Sequence, residues 1–506
     1  MINLRVKILI AVFLFSASVN LNAQKQNAIW CFGDSAGISF VSVNSPSPFI
    51  TSTKSRGSCV SICDTNSNLL FYAYTRAGLA GNTTLVKDKF NQPMQNGTNI
   101  LGQGWYYELI IIPFPNDTNK YYIFSIGVSN SSPYGLYYSI IDMTPNNGLG
   151  AVTQKNIQIN NMKANDGLTA IKHGNGRDWW LIFKDNDGVA DNTFYKYLID
   201  NNGVALADTQ NIGSTASTNT IRLNFNKTGT RLSTINYSGV TDIFDFDRCT
   251  GQLSNYQLIK NFTFPPIAEF WGSEFSANGR FLYIATSGYY NAAYLIQVDL
   301  LNPQLYAAAD TIDSIDYVLE PGGQLKRGPD DKIYWACGFT DSINFPYPYF
   351  DTLYNTYNTY LSVINSPDSL GAACNFTPYS FYLGGARTYW GLPNNPDYDL
   401  GRLVGSPCDT LQWVGSPPAP QRGEQQLHAT YISAWEKLFI NASGLKGKNA
   451  TVTVYDGRGS AIINYELKII NGYATVDIDC TGWSNGLYVV QLQTEKEMLT
   501  KKFLKE

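Results

Sequence analysis

Polar turns and aromatic strands alternate along this chain at a nearly fixed interval. The turns are rich in Asp, Asn, Gly and Lys or Arg, and each leads into an apolar run. The pair reads CDTNSNLLFYAY at 63–74, FPNDTNKYYIFSI at 114–126 and KHGNGRDWWLIF at 172–183. It returns as FNKTGTRLSTINY at 225–237, FSANGRFLYIA at 275–285 and GPDDKIYWACG at 328–338. The first apolar residues after these turns are Leu69, Tyr121, Trp179, Leu232, Phe281 and Ile333, separated by 52, 58, 53, 49 and 52 positions. One further step of similar length reaches GGARTYWGL at 384–392, read as a seventh copy. A period near 50 marks an array whose units cannot bury their own faces alone. Each unit holds three or four short apolar segments and no amphipathic helical stretch. The pattern therefore predicts an all-β chain with a seven-bladed β-propeller over residues 24–404. Two stacked sandwiches would leave the even spacing unexplained. The segment IWCFGDSAGISF at 29–40 has no turn of its own and is expected to complete the last blade, removing two exposed sheet edges.

The pattern changes at both ends. Residues 405–426 contain four prolines and little periodicity, which predicts a linker. Over 427–506, runs such as KLFINA, ATVTVYD and GLYVVQLQT alternate apolar and polar positions around turns at 456–459 and 484–486, predicting a small Ig-like β-sandwich. At the other end, Arg5 and Lys7 precede an apolar run from Ile8 to Val19, followed by Leu21-Asn22-Ala23. This order predicts a signal peptide over 1–23, cut between Ala23 and Gln24. The apolar run is shorter than the roughly 20 residues that span a bilayer, so the mature form is expected to have no membrane span.

Composition fits an exported β-protein. Aromatic residues make up 14 % of the chain, with 34 Tyr, and charged residues only 15 %. Without Arg5 and Lys7 the net charge moves from -4 to -6, with no basic block, which argues against nucleic acid as a partner. There are eight cysteines, and export permits disulfides whose connectivity the sequence leaves open. Cys59 and Cys63 are expected not to pair with each other. In a strand they stand roughly 13 Å apart, beyond the ~7 Å that a disulfide tolerates.

The C-terminal residues carry a resemblance. Thr451-Val-Thr-Val-Tyr-Asp456 with Gly457-Arg458-Gly459, then Gly486-Leu-Tyr488-Val-Val490, then Thr500-Lys501-Lys502-Phe503 resemble the type A sorting domain of type IX secretion substrates. The resemblance implies passage through the outer membrane, the type IX secretion machinery as a partner, and a sorting signal carried by Gly486, Tyr488, Lys501 and Lys502. It implies an extracellular or surface-attached destination. The Asn-Pro usual before the first strand is replaced by Thr430-Tyr-Ile-Ser-Ala-Trp435. Segments such as Ile29-Trp-Cys-Phe-Gly33 and Leu370-Gly-Ala-Ala-Cys-Asn375 are similar to secreted bacterial propellers that carry this tail. Asp-Ser and Asp-Thr pairs, among them those of Ser35, Thr311, Ser314 and Ser369, resemble the O-glycosylation sites of bacteria that use this route.

Candidate chemistry is sparse. Only His173 and His428 are present, which leaves no histidine pair for zinc and little scope for a Ser-His-Asp triad. His173 sits in a repeat turn and is read as structural; no catalytic residue is singled out. Asp185, Asp187 and Asp191 surround Gly188 and offer the hard oxygens that suit Ca²⁺, the one candidate cofactor, although the distal Glu of a full loop is missing. The segment 339–360, crowded with Tyr and Phe between Pro and Asn, offers Tyr347, Tyr349, Tyr354 and Tyr357 as rings for a sugar or peptide. The sequence thus predicts an exported binding or adhesion protein for a surface glycan or protein. A secreted polysaccharide hydrolase or lyase, with acids converging in the propeller funnel, remains the alternative.

Overall fold

The computed structural model describes residues 25–76, 83–102, 106–127, 132–186, 188, 191–215, 221–259, 268–288, 293–302, 305, 309–315, 322–338, 353–409, 426–432, 436–443, 445–469, 474–496 and 498–505. Residues 1–24, with Ala23 and Gln24, lie outside that set, as do Asp187, Tyr347 and Tyr349. The chain divides into two units between Leu411 and Gln412.

In the first unit antiparallel sheets follow one another in chain order. The first has five strands: β1 (Ile29–Phe32), β2 (Asp34–Ser39), β3 (Ser47–Cys63), β4 (Leu69–Arg76) and β5 (Thr84–Asp88). The second contains β6 (Leu109–Phe114), β7 (Asp117–Gly127), β8 (Gly135–Asp142) and β9 (Ala151–Gln158). The third contains β10 (Ala164–Lys172), β11 (Trp179–Asp185), β12 (Thr193–Asp200) and β13 (Gly203–Asn211). Next come β14 (Ile221–Phe225), β15 (Arg231–Asn236), β16 (Thr241–Phe246) and β17 (Leu253–Ile259). They are followed by β18 (Ala268–Phe275), β19 (Phe281–Gly288), β20 (Ala293–Asp299) and β21 (Ala309–Ile315). The last sheet is β22 (Leu325–Arg327), β23 (Ile333–Trp335), β24 (Tyr360–Ile364) and β25 (Phe376–Tyr382).

The repeat seen in the sequence is the link between β3 and β4 in the first sheet and between the first two strands of each later sheet. Asp or Asn accepts backbone N–H bonds from residues two to five positions ahead, an Asx turn that reverses the chain. Asp64 Oδ1 accepts from Asn66 and Asn68 N at 2.8 and 2.9 Å, and Asn226 Oδ1 from Thr230 and Arg231 N at 2.9 and 3.0 Å. Asn175 and Asn278 repeat the device toward Arg177 and Arg280 N. The six apolar anchors after these turns lie on β4, β7, β11, β15, β19 and β23, the second strand of every sheet but the first, and Trp179, Leu232, Phe281 and Ile333 are almost wholly buried. There each large side chain is worth roughly 1.5–3 kcal/mol of transfer free energy.

β3 of the first sheet and the first strands of the later sheets contact one another in the order β3, β6, β10, β14, β18, β22. Sheets standing side by side around an axis lined by their first strands make this unit a β-propeller. Apolar faces pack between neighbouring sheets, as where Ile123 and Phe124 of β7 share a core with Leu181 and Phe183 of β11.

Two segments differ from the sequence reading. Residues 29–40 form a hairpin, β1–β2, and β2 pairs with residues 47–54 of β3, whose second half pairs with β4. One 17-residue strand therefore serves two partners. The 384–392 segment leads into no strand. Gly384 and Gly385 turn it at positive φ, and it then runs between the last and first sheets. Gln324 N donates to Trp390 O at 2.7 Å, and Asn394 N to Cys59 O at 2.9 Å. Gly391 passes so close to Gly57 that a Cβ would collide with its backbone, with Gly57 O at 2.7 Å.

Cys249 and Cys408 form a disulfide. Cys59 and Cys63 are both buried free thiols, as are Cys31, Cys337, Cys374 and Cys480.

The second unit has two sheets. β26 (Gln426–Ile432), β27 (Lys437–Ser443) and β30 (Ala474–Asp479) form one; β29 (Ala461–Lys468), β28 (Asn449–Tyr455), β31 (Gly486–Thr494) and β32 (Met498–Lys505) form the other in that order. Alternate residues Leu438, Ile440, Val452, Val454, Val490 and Leu492 meet in one core.

Candidate functional site

The first strands turn alternate side chains toward the propeller axis, so polar residues there come from sheets far apart in sequence. Asn394 is the knot. Its Nδ2 lies 2.8–3.1 Å from Tyr107 O, Leu109 O and Leu168 O, and its Oδ1 accepts from Arg222 Nη1 at 2.8 Å. The neighbouring Asn395 accepts from Ser61 N at 2.9 Å and donates to Asn27 Oδ1 at 2.8 Å. A segment with no strand of its own thereby ties four sheets together at the axis.

A cleft of about 530 Å³, its open mouth included, lies on this axis. Its walls include Arg222, Asn224, Glu274, Lys326, Arg327 and the turn Asn394–Asp397. Glu274 is held at both oxygens: Oε1 accepts from Asn224 Nδ2 at 2.9 Å and Phe275 N at 3.0 Å, and Oε2 from Arg327 N at 3.1 Å. Lys326 Nζ donates to Asn395 O at 2.9 Å. Burial, reinforced by the Arg222 charge, pushes the Lys326 amine down to about 7. Burial also raises the Asp397 carboxyl above its usual range, against the pull of Arg327.

Beside the start of β6 the axis is filled by rings. Trp271 stacks on Trp390 with centroids 5.2 Å apart, Tyr106 meets Trp271 edge-on at 4.5 Å, and the Arg56 guanidinium lies 4.5 Å over Trp390. Tyr107 OH donates to Trp271 O at 2.6 Å. Next to this cluster, fully buried Asp166 accepts from Ile221 N at 3.0 Å. Burial, then the adjacent Glu108, holds its carboxyl well above the ordinary range. Glu269 on β18 is raised to about 7 by burial.

The residues singled out from sequence are scattered. Asp185 Oδ1 accepts from Thr193 N at 3.1 Å, and Asp191 Oδ1 accepts from Gly188 N at 2.9 Å, each serving its own loop. Among the described residues no group of three or more His, Cys, Asp or Glu could hold a metal ion. Tyr354 is exposed, with Arg387 4.0 Å over its ring; Tyr357 turns inward, edge-on to Tyr379 at 5.1 Å. His173 is built into its turn. Nδ1 accepts from Asn175 N at 3.1 Å and Nε2 lies 2.9 Å from Cys249 O. In the second unit, Gly486 opens β31 and Tyr488 is buried, its OH donating to Ser484 O at 2.6 Å and its ring stacked on Phe503 at 5.3 Å. Lys501 and Lys502 project from β32 as exposed residues.

Sequence reasoning did not find Arg222, Lys326 or Asn394. The one available signal was the Pro393-Asn-Asn-Pro396 run, two amide side chains fixed between prolines after the last repeat.

Residues 434–506 match the family of secretion system C-terminal sorting domains. This tail directs type IX secretion, so the protein engages that machinery and is secreted or attached to the cell surface. No helix among the described residues is long and apolar enough to cross a membrane. No curated protein matches the chain. Among solved structures, it is similar to a periplasmic gluconolactonase of Pseudomonas aeruginosa, at 12 % identity and a TM-score of 0.45, over 72 % of this chain and 98 % of that one. It is also similar to a protein from Lactobacillus plantarum, at 12 % identity and a TM-score of 0.38, over 73 % and 97 %. The β-propeller domain of Myceliophteria thermophila Cps50 is another, at 12 % identity and a TM-score of 0.33, over 62 % and 93 %.

Proposed function

We propose that the chain is an exported binding protein whose propeller takes a glycan or protein ligand at its axial face. Residues 1–23 serve the first crossing as a signal peptide cut after Ala23, and the sorting domain serves the second. In this reading β1, β2 and the first half of β3 count as the seventh blade. The observation that carries the binding role is the state of Glu274. Both its oxygens are held, Oε1 by Asn224 and Phe275 N and Oε2 by Arg327 N, so it fixes the wall of the cleft. What the cleft then presents is a set of held donors, which suits recognition. The test is a glycan and polysaccharide array probed with the full chain, read for retention and for released product. Retention without product is expected; product without retention overturns the binding role.

A second reading, a secreted polysaccharide hydrolase, draws on Glu269. A carboxyl raised to about 7 by burial is the environment of a general acid, and Asp166 and Glu108 supply further acids at the ring-filled end of the axis. Asp166 and Glu108 are wholly buried, so Glu269 is the one of the three within reach of a substrate. Product release from any polysaccharide, abolished in Glu269→Gln, would establish this reading.

A further inference from the structure

We propose that the axial cleft is a site for a monoanionic carboxylate, held by Arg222 and Lys326 against the Asn394–Asn395 turn. The inference deepens the binding role and rests on it.

Two cations of the cleft have no carboxylate in direct contact. Arg222 and Lys326 are each 6 % exposed, and among the described residues neither forms an ion pair. Arg222 is held rigidly: Nη1 and Nη2 bond Asn394 and Asn224, and its guanidinium lies 4.6 Å over the Tyr107 ring. Its Nε, also buried, has no hydrogen-bond partner. A buried donor on a charged group is costly to leave unmade, and an uncompensated buried charge is costlier still. Lys326 uses one of its donors on Asn395 O. An anionic oxygen entering the cleft would satisfy both groups.

The charge of the ligand follows from the other walls. Glu274 and Asp397 line the same cleft, so a second negative charge on the ligand meets repulsion; a phosphate is disfavoured and a carboxylate is not. A uronic acid of a glycan and a free small acid share this chemistry.

The site has a built-in pH response. Lys326 faces Arg222 on β14, Glu274 on β18, its neighbour Arg327 and Cys59 on β3, with Asp397 on the wall. Its amine, pushed down to about 7, carries its proton below that pH and loses it above. Carboxylate binding therefore strengthens as pH falls through 7.

The test is isothermal titration of the full chain with sodium glucuronate, sodium acetate and glucose at pH 6 and pH 8. Glucuronate is expected to bind about tenfold more tightly at pH 6, with proton uptake at pH 8, as linkage requires for one group titrating near 7. Acetate binding as tightly as glucuronate assigns a free acid; a clear preference for glucuronate assigns a glycan. Lys326→Arg, which stays charged, should bind equally at both pH values, and Lys326→Met should bind weakly at both. Thermal unfolding confirms that both variants fold. A pH response that survives in Lys326→Arg overturns the proposal, as does glucose binding as well as glucuronate, which would leave the broader binding role standing. No binding by any of the three also overturns it, and a silent glycan array would remove the binding role as well.

Discussion

Arg387 Nε donates to Asp34 Oδ2 at 3.1 Å across 353 residues of sequence, with both side chains almost wholly buried. The backbones of the same two residues exchange bonds, Asp34 N to Arg387 O at 2.8 Å and Arg387 N to Asp34 O at 3.1 Å. The contact joins the β1–β2 hairpin to the segment that follows the last sheet. Arg387 Nη1 also donates to Leu353 O at 2.9 Å, fixing the described end of the aromatic segment. Removing one partner of a buried pair leaves the other charge uncompensated. Arg387→Met is expected to destabilise the protein by about 3–5 kcal/mol. In urea unfolding, the Asp34→Asn and Arg387→Met double variant should lose less than the sum of the two single variants.

The Cys249–Cys408 disulfide spans 159 residues and pins the end of the first unit to the loop between β16 and β17. Cross-linking so long a loop contributes about 2–5 kcal/mol by restricting the unfolded chain. Cys408→Ser should lower thermal stability by that order. Gly174 packs against both sulfurs, and an added Cβ would collide with Cys408 Sγ and sit 2.9 Å from Cys249 Sγ. Gly174→Ala is therefore expected to increase the rate at which a mild reductant opens the bridge, measured by thiol labelling.

Lys326 ties stability to pH. Its folded value near 7 is below the ~10.4 of an unfolded lysine, so above pH 7 the unfolded chain binds the extra proton. Stability is expected to rise with pH between 7 and 10 through this group, by at most about 1.4 kcal/mol per pH unit. Lys326→Met should flatten that rise in denaturant titrations at pH 7, 8.5 and 10. An unchanged slope would mean that another group sets it.

The last strand completes the sorting domain. Phe503 stacks beneath Tyr488, and buried Lys505 donates to Cys480 O at 2.8 Å. Deleting 498–506 exposes the edge of β31 and the core beneath Phe503. The truncated protein is expected to accumulate in the periplasm while the full chain reaches the medium or surface, scored by cell fractionation. Tyr488→Ala should have the same effect, because truncating a buried aromatic costs about 3–5 kcal/mol.

The repeat was legible because Asx turns and the aromatic strands after them are local: Asp64, Asn175, Asn226 and Asn278 cap turns through residues at most five positions away. The same locality made the sorting tail readable, since strand alternation and a glycine-tyrosine strand need no distant partner. The axial site was not legible for the opposite reason. Arg222, Glu274, Lys326 and Asn394 come from different sheets and a strandless segment, and each looks ordinary in its own strand. Only closure of the propeller around its axis buries their charges together, and burial shifts Lys326 and leaves Arg222 Nε unmet. The aromatic run at 339–360 drew attention by composition, yet Tyr357 faces inward while Tyr354 supports Arg387. Composition and spacing along the chain determined the architecture and the export signal of this protein. Which side chains share the low-dielectric axis, and so what it can bind, was decided by the tertiary structure, because convergence across sheets leaves no trace in local sequence.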